Sequence, residues 1–330
     1  MGINIGNSKV KAISVGNNKI KSVYVGATKV WSAIRGIVAI AMTGKTGDYV
    51  NKVYISIDLE SPFPVNLVNI QSERRISRVA CNKKRFIVLT TTNDSSYSDM
   101  NYSDDGLTWT PSRLGWLTTE SYPFNIKYFE GIDRFVLFYN QTFYMSQDGL
   151  SWSAKTTSNV SGSYITDVAY GDGNILVIQY LGYPYLYNFN DGTYTSINEQ
   201  VRVNFTSSAY GNGKFIAYEA RKGFCSLDIA TKKWTLVSDI LNTAPVGEVN
   251  MIFANGMFLV GTVFNDMYYS YDGVTWTAYA PPYRLVKLSY DGDKFLGTSD
   301  NNYGYSYNGI TWTYVQVDNP RLLNGGIAGN

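Results

Sequence analysis

Short runs of β-branched and aromatic residues, closed by Gly, Asp, Asn or Lys, follow one another along nearly the whole chain. Val168-Ala169-Tyr170-Gly171-Asp172-Gly173-Asn174-Ile175 and Ser208-Ala209-Tyr210-Gly211-Asn212-Gly213-Lys214-Phe215 show the pattern. Each reads as a strand, a tight turn and a second strand entered at a large apolar anchor. The same grammar places anchors at Phe86, Phe135, Ile175, Phe215, Phe258 and Phe295. A second phrase follows four of these anchors at a distance. Ser103-Asp104-Asp105-Gly106-Leu107-Thr108-Trp109, Ser146-Gln147-Asp148-Gly149-Leu150-Ser151-Trp152, Ser270-Tyr271-Asp272-Gly273-Val274-Thr275-Trp276 and Ser306-Tyr307-Asn308-Gly309-Ile310-Thr311-Trp312 are copies of one turn. Asp-Gly or Asn-Gly between β-rich runs is a strong hairpin signal, because both residues accept positive φ. The pattern predicts no convincing helix.

Four antiparallel strands in a unit that recurs about every 40 residues is the pattern of a β-propeller blade. Six units are complete, with Trp109, Trp152, Trp234, Trp276 and Trp312 in five and Tyr194 in the place of Trp in the sixth. The stretch Ile37–Asp58 resembles the second and third strands of another unit without its opening strand. Arg321–Ala328 resembles an opening strand with nothing after it. The two fragments complement each other, so the expected fold is all-β: a seven-bladed propeller over residues 35–330, with one blade shared between the chain ends. Such closure removes open sheet edges.

A different repeat occupies residues 1–34. Lys9–Gly16, Lys19–Gly26 and Lys29–Gly36 share one frame, and each reads as a short strand and turn. Residues 1–47 carry seven basic side chains and no acidic one, leaving 21 of the 28 basic residues against all 26 acidic ones in the remainder. A basic segment too small to fold alone suggests attachment, with Val10, Ile13, Ile20, Val23, Val30 and Trp31 as the apolar contacts. Lysines at alternating strand positions fit a solvated face better than a nucleic-acid site.

Composition narrows the chemistry. The chain has 330 residues and no His, which removes the commonest general base and any Ser-His triad. Cys81 and Cys225 are too few for a disulfide framework or a zinc cluster and read as buried apolar residues. The sequence shows no Gly-rich phosphate loop, no membrane span and no classical leader peptide. One carboxylate per turn falls well short of a calcium ligand set, so the turn Asp residues read as structural. No cofactor, no metal and no enzymatic activity are expected. Two carboxylates on facing loops would suffice for a glycoside hydrolase, and that alternative stays open.

Ser-x-Asp-Gly-x-Thr-Trp resembles a shortened Asp-box, the turn signature of sialidase-like propellers, with one residue fewer between Asp and Gly. Asp58 and Asp228 sit in looser echoes of it. Sialidases also need an arginine triad, and Arg75-Ile76-Ser77 lacks the Pro of their first arginine phrase. The Gly-Asn-x-Lys-Val/Ile-Lys and Val-Tyr-Val-Gly-x-x-Lys-Val-Trp phrases of the N-terminal segment are similar to leaders of phage tail-associated proteins. That resemblance implies a virion protein whose leader docks to other tail proteins, or to further copies of the chain. Its propeller would meet a host-surface glycan or protein. A secreted lectin or adhesion propeller is the alternative. Loops on a rigid scaffold usually carry function. The irregular connections lie at one end of the blades and hold Tyr97, Trp116, Tyr122, Tyr180, Tyr183, Tyr185 and Tyr283, the candidate ligand contacts.

Overall fold

The computed structural model describes residues 74–82, 84–92, 97–104, 106, 108–118, 125–155, 164–197, 203–242, 249–264, 266–290, 292–298 and 302–316. Short strands within residues 4–66 and Ile327–Gly329 are described as backbone. The protein is a β-propeller. Six four-stranded antiparallel sheets follow one another in sequence, each with its strands in chain order. Blade 1 spans residues 74–118, blade 2 125–155, blade 3 165–196, blade 4 205–238, blade 5 249–279 and blade 6 287–316.

Six consecutive blades are one fewer than the seven counted from the sequence. The physical reason is the stretch after residue 37, which has no opening strand of its own. Its strands Val38–Met42, Lys52–Ser56 and Phe63–Asn66 instead form a four-stranded sheet with Ile327–Gly329 from the other chain end. Ile327 lies opposite Ile40 in that sheet. The N-terminal repeat forms two-stranded hairpins: Asn4–Ile5 with Ser8–Lys9, Ser14–Val15 with Asn18–Lys19, and Ser22–Val25 with Thr28–Ser32. Val23, Val30 and Trp31 lie in the last of these, with Val23 opposite Trp31. Val10, Ile13 and Ile20 lie outside the described residues.

The second strand of every blade explains the long apolar runs. Side chains alternate across a strand, so a strand covered on both faces must be apolar at successive positions. In blade 2, Phe135 and Leu137 point into the cluster shared with blade 1, whereas Val136 and Phe138 point into the cluster shared with blade 3. In blade 4, Phe215 and Ala217 face blade 3 while Ile216 and Tyr218 face blade 5. Blade 5 repeats the division, with Phe258 and Val260 on one side and Met257 and Leu259 on the other. All six anchors are buried, none more than 1% exposed. Burying an aliphatic or aromatic side chain of this size contributes about 1.5–3 kcal/mol.

The motif Trp completes the seam with the preceding blade. Trp276 of blade 5 stacks on Phe224 of blade 4, with ring centroids 3.8 Å apart and planes 8° from parallel. Trp152, Trp234 and Trp312 take the same place in the seams between blades 1 and 2, 3 and 4, and 5 and 6. Tyr194 stands in the seam between blades 2 and 3, where it tilts against Tyr187 at 5.0 Å.

A polar belt joins the first strands. The Asp167 carboxylate of blade 3 takes the Lys127 ammonium of blade 2 at 2.5 Å. Its other oxygen accepts the Ser208 backbone N–H at 2.8 Å and the Ser207 hydroxyl at 3.2 Å, both from blade 4. The Ser207 hydroxyl oxygen then accepts the Met251 N–H of blade 5 at 2.9 Å, and Asn250 Oδ1 accepts the Leu288 N–H of blade 6 at 2.8 Å. The side chain of Asp167 is only 6% exposed. Removing one partner of a buried pair leaves the other charge uncompensated. Asp167→Ala is therefore expected to cost about 3 kcal/mol in urea unfolding at neutral pH. Adding Lys127→Met should restore a substantial part of that loss. Unfolding of Asp167→Ala at the wild-type midpoint would remove the belt from the account of stability.

Candidate functional site

The alternation of strand direction sorts the connections into two ends. First-to-second and third-to-fourth turns lie at one end, and second-to-third turns and blade-to-blade connections at the other.

The turn end is stereotyped, and the Oδ1 atoms of its Asp and Asn residues are engaged within their own turns. In blade 5, Asp272 Oδ1 accepts the N–H groups of Val274 and Thr275, each at 2.7 Å, and the Ser270 hydroxyl at 3.0 Å. The Ser270 oxygen accepts the Gly273 N–H at 2.8 Å, and Trp276 Nε1 donates to Gly273 O at 3.3 Å. Blade 2 repeats the arrangement through Asp148, which accepts from Leu150 and Ser151 at 2.8 Å. Blade 6 does so with Asn308, which accepts from Ile310 at 2.9 Å and Thr311 at 2.8 Å. Asp228, the looser echo, accepts in the same way from Ala230 and Thr231. Gly149 has φ +73°, and a Cβ there would lie 2.5 Å from Ile87 Cδ1 of the preceding blade. The turn therefore needs Gly for its conformation and again for its packing.

These carboxylates hold their own turns. Burial of Asp148 works against its ionisation, but the N–H groups of Ser151 and Leu150 outweigh it and lower its pKa to about 2. The N–H groups of Val274 and Thr275 drive Asp272 down likewise. Among the described residues, no three His, Cys, Asp or Glu side chains gather as a metal set. Cys81 and Cys225 are buried and unbridged. Burial, with the Glu219 carboxylate nearby, pushes the Cys225 thiol up to about 12, so it is no nucleophile at neutral pH.

The loop end is where the sequence placed its candidates. Tyr180 and Tyr164 stack with centroids 5.2 Å apart and planes 10° from parallel, both half-buried. The Tyr180 N–H donates to Tyr164 O at 2.9 Å, which ties the hairpin of blade 3 to the connection before it. Tyr183 is half-buried beside them in sequence, and Leu181 between them is 44% exposed with φ +49°. Tyr283, between blades 5 and 6, is 52% exposed and meets the edge of Tyr314 at 5.0 Å. The Tyr314 hydroxyl braces it by donating to Tyr283 O at 3.3 Å. Tyr185 is different. It opens the third strand of blade 3, is only 5% exposed and packs in the seam with blade 2, so it is a core side chain. Tyr97 and Trp116 lie in the third and fourth strands of blade 1, where their side chains are not described, and Tyr122 lies outside the described residues.

Two further exposed side chains at this end escaped the sequence reading. Phe264 is exposed in the second-to-third hairpin of blade 5, and Ile240 in the connection after blade 4. Arg284 clamps the former hairpin by donating to Val263 O at 2.9 Å. Apolar residues directly after a buried strand carry no periodic signal that separates core from surface.

No family model and no curated protein matches this sequence. Solved structures match it at the level of fold. Virginiamycin B lyase from Staphylococcus aureus superposes with a TM-score of 0.58 at 13% identity, covering 79% of this chain and 90% of that one. YCF48 bound to D1 peptide gives 0.56 at 14% identity, over 85% and 92% of the two chains. YCF48 from Cyanidioschyzon merolae gives 0.52 at 12% identity, over 79% and 92%. At these identities the likeness is one of fold alone.

The Asp turn makes a pH prediction. The folded pKa of Asp148 lies below the ordinary carboxylate value of about 3.9, so its contribution is present above that value. It is lost as pH falls through about 2. Asp148→Ala should lower the melting temperature by a few degrees at pH 7, and the gap to wild type should close between about pH 4 and pH 2. Asp148→Asn should cost less, since Asn308 already performs the role in blade 6. A gap that stays constant down to pH 2 would show that the carboxylate charge contributes nothing.

Proposed function

We propose that this chain is a non-enzymatic adsorption protein of a phage tail. Its basic leader docks to the particle, and the loop end of its propeller binds a protein or glycan of the host surface. The observation that carries the binding role is the loop end itself. Leu181 and Phe264 are exposed there on hairpins and Tyr283 on a blade-to-blade connection, each braced by a hydrogen bond to a backbone carbonyl. Exposed apolar side chains on a rigid frame mark recognition surfaces, because little entropy is lost when they are covered. YCF48, whose structure is similar in fold, is bound to D1 peptide, which supports the capacity of this architecture to hold one. The phage assignment rests on the resemblance of the leader phrases. In this reading the sheet made by both chain ends is a seventh blade that closes the ring, and residues 1–34 stand outside it as the attachment segment, with the particle or with further copies as partner.

Full-length chain, Tyr180→Ala, Tyr283→Ala and a chain lacking residues 1–34 would be compared for binding to susceptible cells and for incorporation into particles. The two Tyr variants should bind cells about tenfold more weakly, a loss of about 1.4 kcal/mol, with unchanged melting temperature. The shortened chain should bind cells as wild type does and be missing from particles by mass spectrometry. Wild-type binding by both Tyr variants would overturn the loop-end site. Equal incorporation of the shortened chain would overturn the docking role.

A further inference from the structure

The turn-internal bonds of the Asp turns leave one side chain unused, that of the second residue of Ser-x-Asp/Asn-Gly. In blade 1 it is Asp104, which holds Arg85 through two hydrogen bonds of 2.7 and 3.0 Å. In blade 2 it is Gln147, whose Nε2 donates to Asp133 at 3.2 Å. The corresponding residue of blade 4, Leu227, is buried. Blades 5 and 6 differ. They place Tyr271 and Tyr307 there, 59% and 61% exposed, the most exposed large hydrophobic side chains among the described residues.

Both rings are set on firm bases. Tyr271 stands edge-to-face with Tyr269 at 5.7 Å, and Tyr307 with Tyr305 at 6.4 Å. Asn212 of blade 4 donates its side-chain N–H to Tyr271 O at 2.6 Å. The Lys294 ammonium lies 5.3 Å from the Tyr307 ring centroid, with Asp293 beside it at 3.8 Å. The two blades therefore present the same aromatic dyad at the same height, one blade apart.

We infer that these dyads form a second binding site, at the end opposite the loops, for a neutral saccharide chain. A pyranose offers one face of C–H groups and a rim of hydroxyls. The first suits a tyrosine ring, and the second suits amide, carboxylate and ammonium groups beside it. Asn308 uses its Oδ1 inside the turn and keeps its Nδ2 donors. Lys294 and Asp293 lie together with opposite charges, which favours an uncharged ligand over an anion. Protein interfaces centre on contiguous apolar area. Here Val274 is the only exposed large aliphatic residue of the two turns, among exposed Thr275, Thr311 and Asn308. A repeated ring at blade spacing matches a chain of sugar units better than a single one. The inference does not depend on the phage reading.

Native electrophoresis of the full chain through gels containing dextran, soluble starch, galactomannan or arabinoxylan tests it. At least one polysaccharide should retard wild type. The double variant Tyr271→Ala/Tyr307→Ala should lose at least tenfold in affinity at unchanged melting temperature. Tyr271→Phe and Tyr307→Phe should retain most of the retardation. Absence of retardation by all four polymers, or full retardation of the double variant, would overturn the site. So would a change in sedimentation mass of the double variant without loss of retardation, which would make the patch a contact between copies.

Discussion

No blade of this propeller owns a core. Each second strand divides its side chains between two neighbours, and each cluster of buried residues belongs to a pair of blades. The apolar surface of a single blade can be buried only when both neighbours are present. Stability is thus built from nearest-neighbour seams, as in other repeat architectures. The end blades of a linear array would each leave one face wet, which is why the pairing of Ile327–Gly329 with Val38–Met42 matters. It brings the two ends of the chain into one sheet.

The seams are mainly apolar, and apolar contact is poor at fixing register. Directional bonds supply what it lacks. At the turn end, Gly149, Gly273 and Gly309 pack against the preceding blade, and a Cβ at Gly309 would run into Met257 Cε. The Tyr279 hydroxyl of blade 5 donates to Gly309 O of blade 6 at 2.6 Å, and Arg85 of blade 1 reaches Asp148 O of blade 2 at 2.5 Å. Along the first strands the Lys127–Asp167–Ser207 belt does the same with side chains. A one-residue slip of any blade would break these bonds and turn its apolar residues to the wrong neighbour.

Much of this was legible because the signals are local. The anchors Phe86 through Phe295 and the Asp-Gly turns lie within a few residues of the structures they specify, and Tyr194 does take the place of Trp. The belt was not legible, because its members lie about 40 residues apart on different blades and polar strand residues ordinarily face water. In retrospect, Asp167, Ser207 and Asn250 each stand three positions before the residue that pairs with the anchor, Tyr170, Tyr210 and Phe253. Tyr185 was misplaced for another reason. Tyr180, Tyr183 and Tyr185 read as members of one irregular connection, yet the third strand of blade 3 begins at Tyr185. From there a period of two sends Tyr185 and Tyr187 to the same buried seam.

The two ends of the molecule differ in what their exposed side chains can do. At the loop end the exposed apolar residues are of mixed kind: Leu181, Ile240, Phe264 and Tyr283. Such a surface gains chiefly by excluding water against another apolar surface. At the turn end the Ser-x-Asp/Asn-Gly turns of blades 2, 5 and 6 share one hydrogen-bonded frame, and the second residue of each such turn is the one whose role varies. Where that position is Asp104 or Gln147 it joins the frame, and where it is Tyr271 or Tyr307 it projects from it. A side chain that the fold does not use, repeated in register on a rigid base, is free to be chosen for what it meets outside. The same turn chemistry that holds the blades together therefore also presents a row of interchangeable side chains at fixed spacing.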